Sequence, residues 1–357
     1  MNATPERRPT EWPHADALLP PVVRDLPPGR HEFHKERLMA QIHADTEQST
    51  RSAQQAPGPE RPRAPWWRRP VVVLPLAAAA LAGALVTGST LMGDDETPGL
   101  ATGPLLTTRV AAATTHGTGT ILQRASAAAE QAPAPAPRPG QYIYIESVTA
   151  NTYVRTGDDK SEVVSDKLHR RQVWESPDGH KGWLMEPGNP KGGITLDTDV
   201  DRDAAYDALV TLPKDPDALL RRIYKMSEGQ DNGPDQAAFS MIGDLISESY
   251  PPAGLEAALY QAAAKIPGVV TVDDAVDAAG RHGIAVARLD EVTGARDEWI
   301  FDRKTLTFLG ERSVQVRTPR HANAEDRLIK PGTILFTSAV TKRTLVEGMK
   351  ELPSQRS

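Results

Sequence analysis

The stretch Gly268–Val316, GVVTVDDAVDAAGRHGIAVARLDEVTGARDEWIFDRKTLTFLGERSVQV, decides the fold. Three short turns punctuate it: AGRHG at 279–283, VTGA at 292–295 and DRKT at 302–305. Between them apolar side chains recur at alternate positions, among them Ile284, Val286, Trp299, Phe301 and, past the third turn, Leu306 and Phe308. Successive side chains of a strand point to opposite faces, so this spacing predicts an antiparallel meander with one buried face. TILFTSAVTKRTLVEG (333–348) adds a final strand.

Upstream of the meander the period changes. Phe239, Ile242, Leu245 and Ile246 form one helical stripe, and Leu255, Ala258, Leu259, Ala262 and Ile266 form another. LPKDPDALLRRIYKM (212–226) opens with a cap at Asp215, Pro216 at the first helical position and Asp217 at the positive end of the helix dipole. Earlier still, YIYIESV (142–148), NTYVRTG (151–157) and RRQVWESPDGHKGWLME (170–186) read as strands, the last as two strands around the SPDG turn. TILQRASAAAEQ (120–131) reads as a helix stopped by APAPAPRPG. The order helix, strands, helices, strands predicts an α+β domain over 120–357, with a curved antiparallel sheet packed on helices. Such a sheet either leaves an apolar groove for a hydrophobic ligand or is filled by its own helices.

The remaining third of the chain has a different character. Pro70–Gly93 is 24 residues without a charge. That is long enough to cross a bilayer as one helix. Arg61, Arg63, Arg68 and Arg69 precede it, and Asp94, Asp95 and Glu96 follow it. Positive charge stays on the cytoplasmic side, so the expected topology puts the N-terminus inside and the C-terminus outside. Trp66 and Trp67 stand where an interfacial aromatic belt belongs. Ala80, Ala84 and Gly88 make a small-residue face on which two copies could pair as a homodimer. Residues 1–69 carry 11 Lys and Arg against 9 Asp and Glu, and read as a basic, mostly disordered cytoplasmic tail. Within it Phe33, Leu38, Met39 and Ile42 form a short amphipathic helix. Residues 94–119, rich in Thr, Gly, Ala and Pro, read as a stalk.

Chemistry was sought in the usual signatures. The chain has no cysteine, which excludes a disulfide, a thiolate metal site and a cysteine nucleophile. Its net charge of −6 argues against direct nucleic-acid binding. His31 and His34 share a helical face near His43, yet no carboxylate completes a ligand set, so a solvated face is the better reading. DTDVDRDAAYDA, from Asp197, begins like a calcium loop but places Arg202 and Ala208 where that pattern needs Gly and Glu. His116, His169, His180, His282 and His321 read as scattered among turns. Ser176, Asp178, His180 and Asp302 make a triad only on paper. We therefore expect a non-enzymatic protein with no catalytic, cofactor-binding or metal-binding residue.

YDALVTLPKDPDALLRRIY, LEAALYQAAAKIPGV, VDAAGRHGIAVARLDE and EWIFDRKTLTFLGERSV, together with LPPGRHEFHKERLMAQI in the tail, resemble an actinobacterial family of uncharacterised single-span membrane proteins. The resemblance covers most of the chain. It implies an inside tail, one span and an outside domain with no assigned activity. Members often lie near extracytoplasmic-function sigma factors, which implies a regulatory role. More distantly, the element order is similar to the half-barrel of periplasmic lipoprotein carriers. The expected function is that of a cell-membrane sensor or regulator. Its outer domain would bind a lipid, lipoprotein or protein partner, and its tail a cytoplasmic regulator such as a sigma factor. The alternative is a tethered lipid or lipoprotein carrier without signalling.

Overall fold

The computed structural model describes residues 100–157, 160–190, 192–230 and 232–353. The tail, the charge-free run with Ala80, Ala84 and Gly88, and residues 94–99 lie outside the described residues. Among the described residues no helix is long and apolar enough to cross a membrane.

In chain order come β1 (Thr102–Gly103), β2 (Ala113–Thr114), α1 (Thr118–Gln131), β3 (Tyr142–Gly157), β4 (Lys160–Asp166), β5 (His169–Glu175), β6 (Gly182–Met185) and β7 (Ile194–Thr195). A helical block follows: α2 (Tyr206–Leu209), α3 (Pro216–Met226), α4 (Pro234–Ser247) and α5 (Ala253–Ala263). The chain ends in β8 (Val269–Val276), β9 (His282–Leu289), β10 (Ala295–Asp302), β11 (Phe308–Gln315) and β12 (Ile334–Val346). The strands form one antiparallel sheet in the order β2-β8-β9-β10-β11-β12-β3-β5-β6-β7, while β4 pairs with β3 and β1. The fold is therefore α+β, a large curved antiparallel sheet on helices.

The meander is as the alternation requires. Val286 lies opposite Trp299, and Ile284 opposite Phe301. All four, with Leu306 and Phe308, pack into the helix-side core. Register shifts interrupt β8 after Val272, β10 after Ile300, β11 after Ser313 and β12 after Val340. An extra residue on one strand bends it, so these shifts curve the sheet around the helices. The Asp215 carboxylate accepts the Ala218 N–H at 2.8 Å with Pro216 next in line, so α3 starts where its capping residues place it.

Two expectations need revision. YIYIESV and NTYVRTG are one continuous strand, β3, because Thr149 and Ala150 carry the alternation on with no turn residue between. And the described part of the stretch read as a stalk is not free of the domain. β1 pairs with β4, Leu106 donates its N–H to Ser165 Oγ at 3.1 Å, Thr108 donates to the Gly332 carbonyl at 2.7 Å, and β2 pairs with β8. Residues 100–117 thus run across the sheet as a strap. Its anchor is Leu106, buried against Ala150 and Leu168. Leu100, Leu105, Leu106 and Val110 follow no strand or helix period among the threonines and alanines, so composition alone reads as linker.

Candidate functional site

The helix-side face was the expected ligand site. At its centre the sheet and α4 are in contact. The Phe239 and Trp299 rings stack at 4.0 Å with 3° between their planes. Gly243 lies so close to Trp299 that a methyl group there would stand 2.5 Å from the indole nitrogen. Tyr260 of α5 meets Phe301 edge-on at 5.3 Å. Helix side chains fill this part of the face, as in any close-packed interior.

Away from the centre the same face keeps an apolar cluster of Ile143, Ile145 and Tyr250, but one row across it turns polar. Residues directly opposite each other on neighbouring strands share a face. One such row runs Trp299, Glu311, Ser338, Thr149, His169. Glu311 is buried and accepts a hydrogen bond from Ser247 Oγ of α4 at 3.1 Å. His169 is not in a turn, as its surroundings in the sequence suggested. It opens β5 with its side chain buried, 4.0 Å from the buried Glu186 carboxylate, which also has Arg171 Nε at 3.8 Å. A hydroxyl- and charge-lined face is poor chemistry for an acyl chain.

The opposite, outer face carries two constellations. The first is ionic. Arg296 Nε donates to Glu298 Oε1 at 2.8 Å, and Arg312 Nε donates to Oε2 at 2.7 Å. None of the three side chains is more than 6% exposed. Arg296 also donates to the Ala111 carbonyl of the strap at 3.0 Å, so the strap roofs the triad.

The second constellation is aromatic. Tyr144, Trp174 and Val346 form a buried cluster, with Tyr142, Trp183, Met185 and Met349 packed around it. The Tyr144 and Trp174 rings lie 5.1 Å apart at 54°. Tyr144 donates its O–H to Glu146 Oε2 at 2.6 Å and accepts from Gln172 Nε2 at 2.6 Å. Burial, reinforced by the bond to Glu146, raises the Tyr144 hydroxyl above the usual tyrosine range. Burial works to raise the Glu146 carboxyl as well, but bonds from Arg170, Tyr144 and Thr341 outweigh it and hold the carboxyl below its ordinary value.

No known family model matches the chain, and no curated protein sequence matches it.

The triad assembled on paper does not come together. Asp178 accepts from Ser176 and from the His180 N–H within one turn, while His180 Nε2 faces Asp201 at 3.2 Å. Asp302 accepts from the Lys304 and Thr305 N–H groups of a different turn. In the acidic loop, Asp197 pairs with Lys181 at 2.9 Å and Arg202 with Glu175 at 2.7 Å. Among the described residues no group of His, Asp and Glu is placed to hold a metal ion. Sequence reading missed the Arg296–Glu298–Arg312 triad. The available signal was strand parity, which sets these residues opposite Trp299, but charge at alternate positions reads as a solvated face.

Proposed function

We propose that the protein is a membrane-anchored, non-enzymatic envelope protein of the sensor or regulator type. Its outer domain binds a lipoprotein, lipid or protein partner through its surface, and its inner tail contacts a cytoplasmic regulator such as a sigma factor. The observation that carries this reading is the layout around Pro70–Gly93: a charge-free run with four arginines before it and three acids after it. The packing at the sheet centre supports a surface contact over an enclosed ligand. The centre of the helix-side face is occupied by Phe239 and Trp299.

The carrier reading needs an apolar groove, and the contact of Gly243 with Trp299 speaks against one at the sheet centre. Co-purification of full-length chain with and without residues 1–69, with transcript profiling of both strains, tests the signalling half. The proposal expects a captured regulator and a changed transcript set that depend on the tail. A tail that captures nothing and whose deletion changes no transcript defeats it. Native mass spectrometry of residues 100–357 tests the carrier reading, which requires a stoichiometric bound lipid.

A further inference from the structure

After β12 the chain does not leave the domain. Residues 348–351 make a turn, closed by the Glu351 N–H donating to the Gly348 carbonyl at 3.2 Å, that folds back over the outer-face aromatic cluster. Three contacts seat it. Trp174 Nε1 donates to the Glu351 carbonyl at 2.7 Å, the Lys350 ammonium sits 3.3 Å over the Trp183 ring, and Met349 packs against the cluster. Glu347 holds the start of the turn by pairing with Arg138 and Gln141.

The seat carries a backbone cost. Lys350 occupies the third turn position at φ 69, a left-handed conformation that favours glycine or asparagine and that a lysine adopts at a cost. The Trp183 indole nitrogen itself is buried against Gly193, where a methyl group would stand 2.7 Å from it, so the turn meets Trp183 through Lys350 over the ring face. The segment is thus a strained occupant of a surface whose chemistry it reveals: an indole face for a cation and one indole N–H for a main-chain carbonyl.

We propose that the Trp174–Trp183 platform is the docking site for a cationic peptide turn of a partner protein, and that residues 348–353 are an internal occupant which that partner displaces. The ammonium or guanidinium of the incoming segment takes the place of Lys350 over Trp183, and its backbone carbonyl takes the bond from Trp174. The inference names the surface for the partner contact proposed above and rests on that reading. Its test reads the platform alone, so it can fail while the anchored layout stands, and the anchor can fail while the platform binds.

The probe is the capped hexapeptide GMKELP, the sequence of residues 348–353, titrated onto the purified full chain and onto a chain ending at Glu347, with indole fluorescence as readout. The truncated chain binds the peptide saturably. The intact chain binds it about tenfold or more weakly, because its own segment competes. A peptide with glutamate in place of its lysine loses about tenfold in affinity, the range of a cation–π contact. A second variant guards against misfolding of the truncation: Lys350→Ala in the intact chain tightens peptide binding and speeds hydrogen exchange at the Glu351 amide. The proposal is overturned if a truncated chain with unchanged melting binds no peptide, or if the lysine and glutamate peptides bind equally. It is equally overturned if Lys350→Ala moves neither readout.

Discussion

Glu298 stands directly opposite Arg312 across β10 and β11, and neither side chain is more than 2% exposed. With Arg296 on the other carboxylate oxygen, the sheet holds two guanidiniums and one carboxylate beneath the strap. Removing one member of a buried ionic set is far more costly than replacing the set, because the partners are left uncompensated. Glu298→Leu, which strands two buried cations, is expected to destabilise the domain by about 3–5 kcal/mol. The triple replacement of Arg296, Glu298 and Arg312 by leucines is expected to cost much less. Urea denaturation of residues 100–357 measures both; a single variant no worse than the triple contradicts the account.

The packing of α4 on β10 is tested at Gly243. An added methyl group meets the Trp299 indole at 2.5 Å, and the indole is stacked on Phe239 of the same helix. Overpacking of this kind costs about 1–3 kcal/mol. Gly243→Ala is expected to lower the melting temperature, and Trp299→Phe in the same chain to return part of the loss by removing the clashing atoms. Wild-type stability in the Gly243→Ala variant would mean an open gap between helix and sheet, and would revive the groove.

Leu106 is predicted to hold the strap. Its burial against Ala150 and Leu168 is the main apolar contact of residues 100–117. Leu106→Ala is expected to cost about 2 kcal/mol or more, the lower end for a buried leucine. It should also speed exchange of the Thr108 amide, which donates to Gly332, before that of the β10 amides. Uniform acceleration through the sheet would instead make the strap one cooperative unit with the core.

The Glu146 network sets a pH dependence. Bonds from Arg170, Tyr144 and Thr341 hold the folded carboxyl below its ordinary value of 4.5. A carboxyl depressed in the folded state stabilises the fold above its unfolded pKa and loses that stabilisation as pH falls through the folded one. Stability should therefore decline as the medium is acidified below about pH 4.5. Glu146→Gln should flatten that limb and lower stability at neutral pH. Melting curves across the acid range decide it, and an unchanged acid limb in the variant excludes this group as a contributor.

What was legible in the sequence was whatever a period encodes. The alternation from Ile284 to Phe308, the stripes through Phe239 and Leu255, and the Asp215–Pro216 start all appear as read. What was hidden depends on partners distant in sequence. Leu106 cannot be told from Leu105 beside it until Ala150 and Leu168 meet it. His169 reads as a surface residue until Glu186 comes beside it from β6's end. Glu298 and Arg312 look solvated until the strap covers them, and Lys350 is an ordinary terminal lysine until the turn sets it on Trp183. Side chains recognised by tertiary contact leave no local pattern.

The central claim is an anchored protein with its tail inside and its domain outside, and the absence of cysteine from the chain allows a direct test. Val292, 43% exposed on the domain, and Ser52, in the tail, are each replaced by cysteine in the full-length protein. Intact cells are then treated with a membrane-impermeant maleimide. The account predicts that Val292→Cys is labelled in intact cells and that Ser52→Cys is labelled only after permeabilisation. Labelling of Ser52→Cys from outside, or protection of Val292→Cys in intact cells, would contradict it.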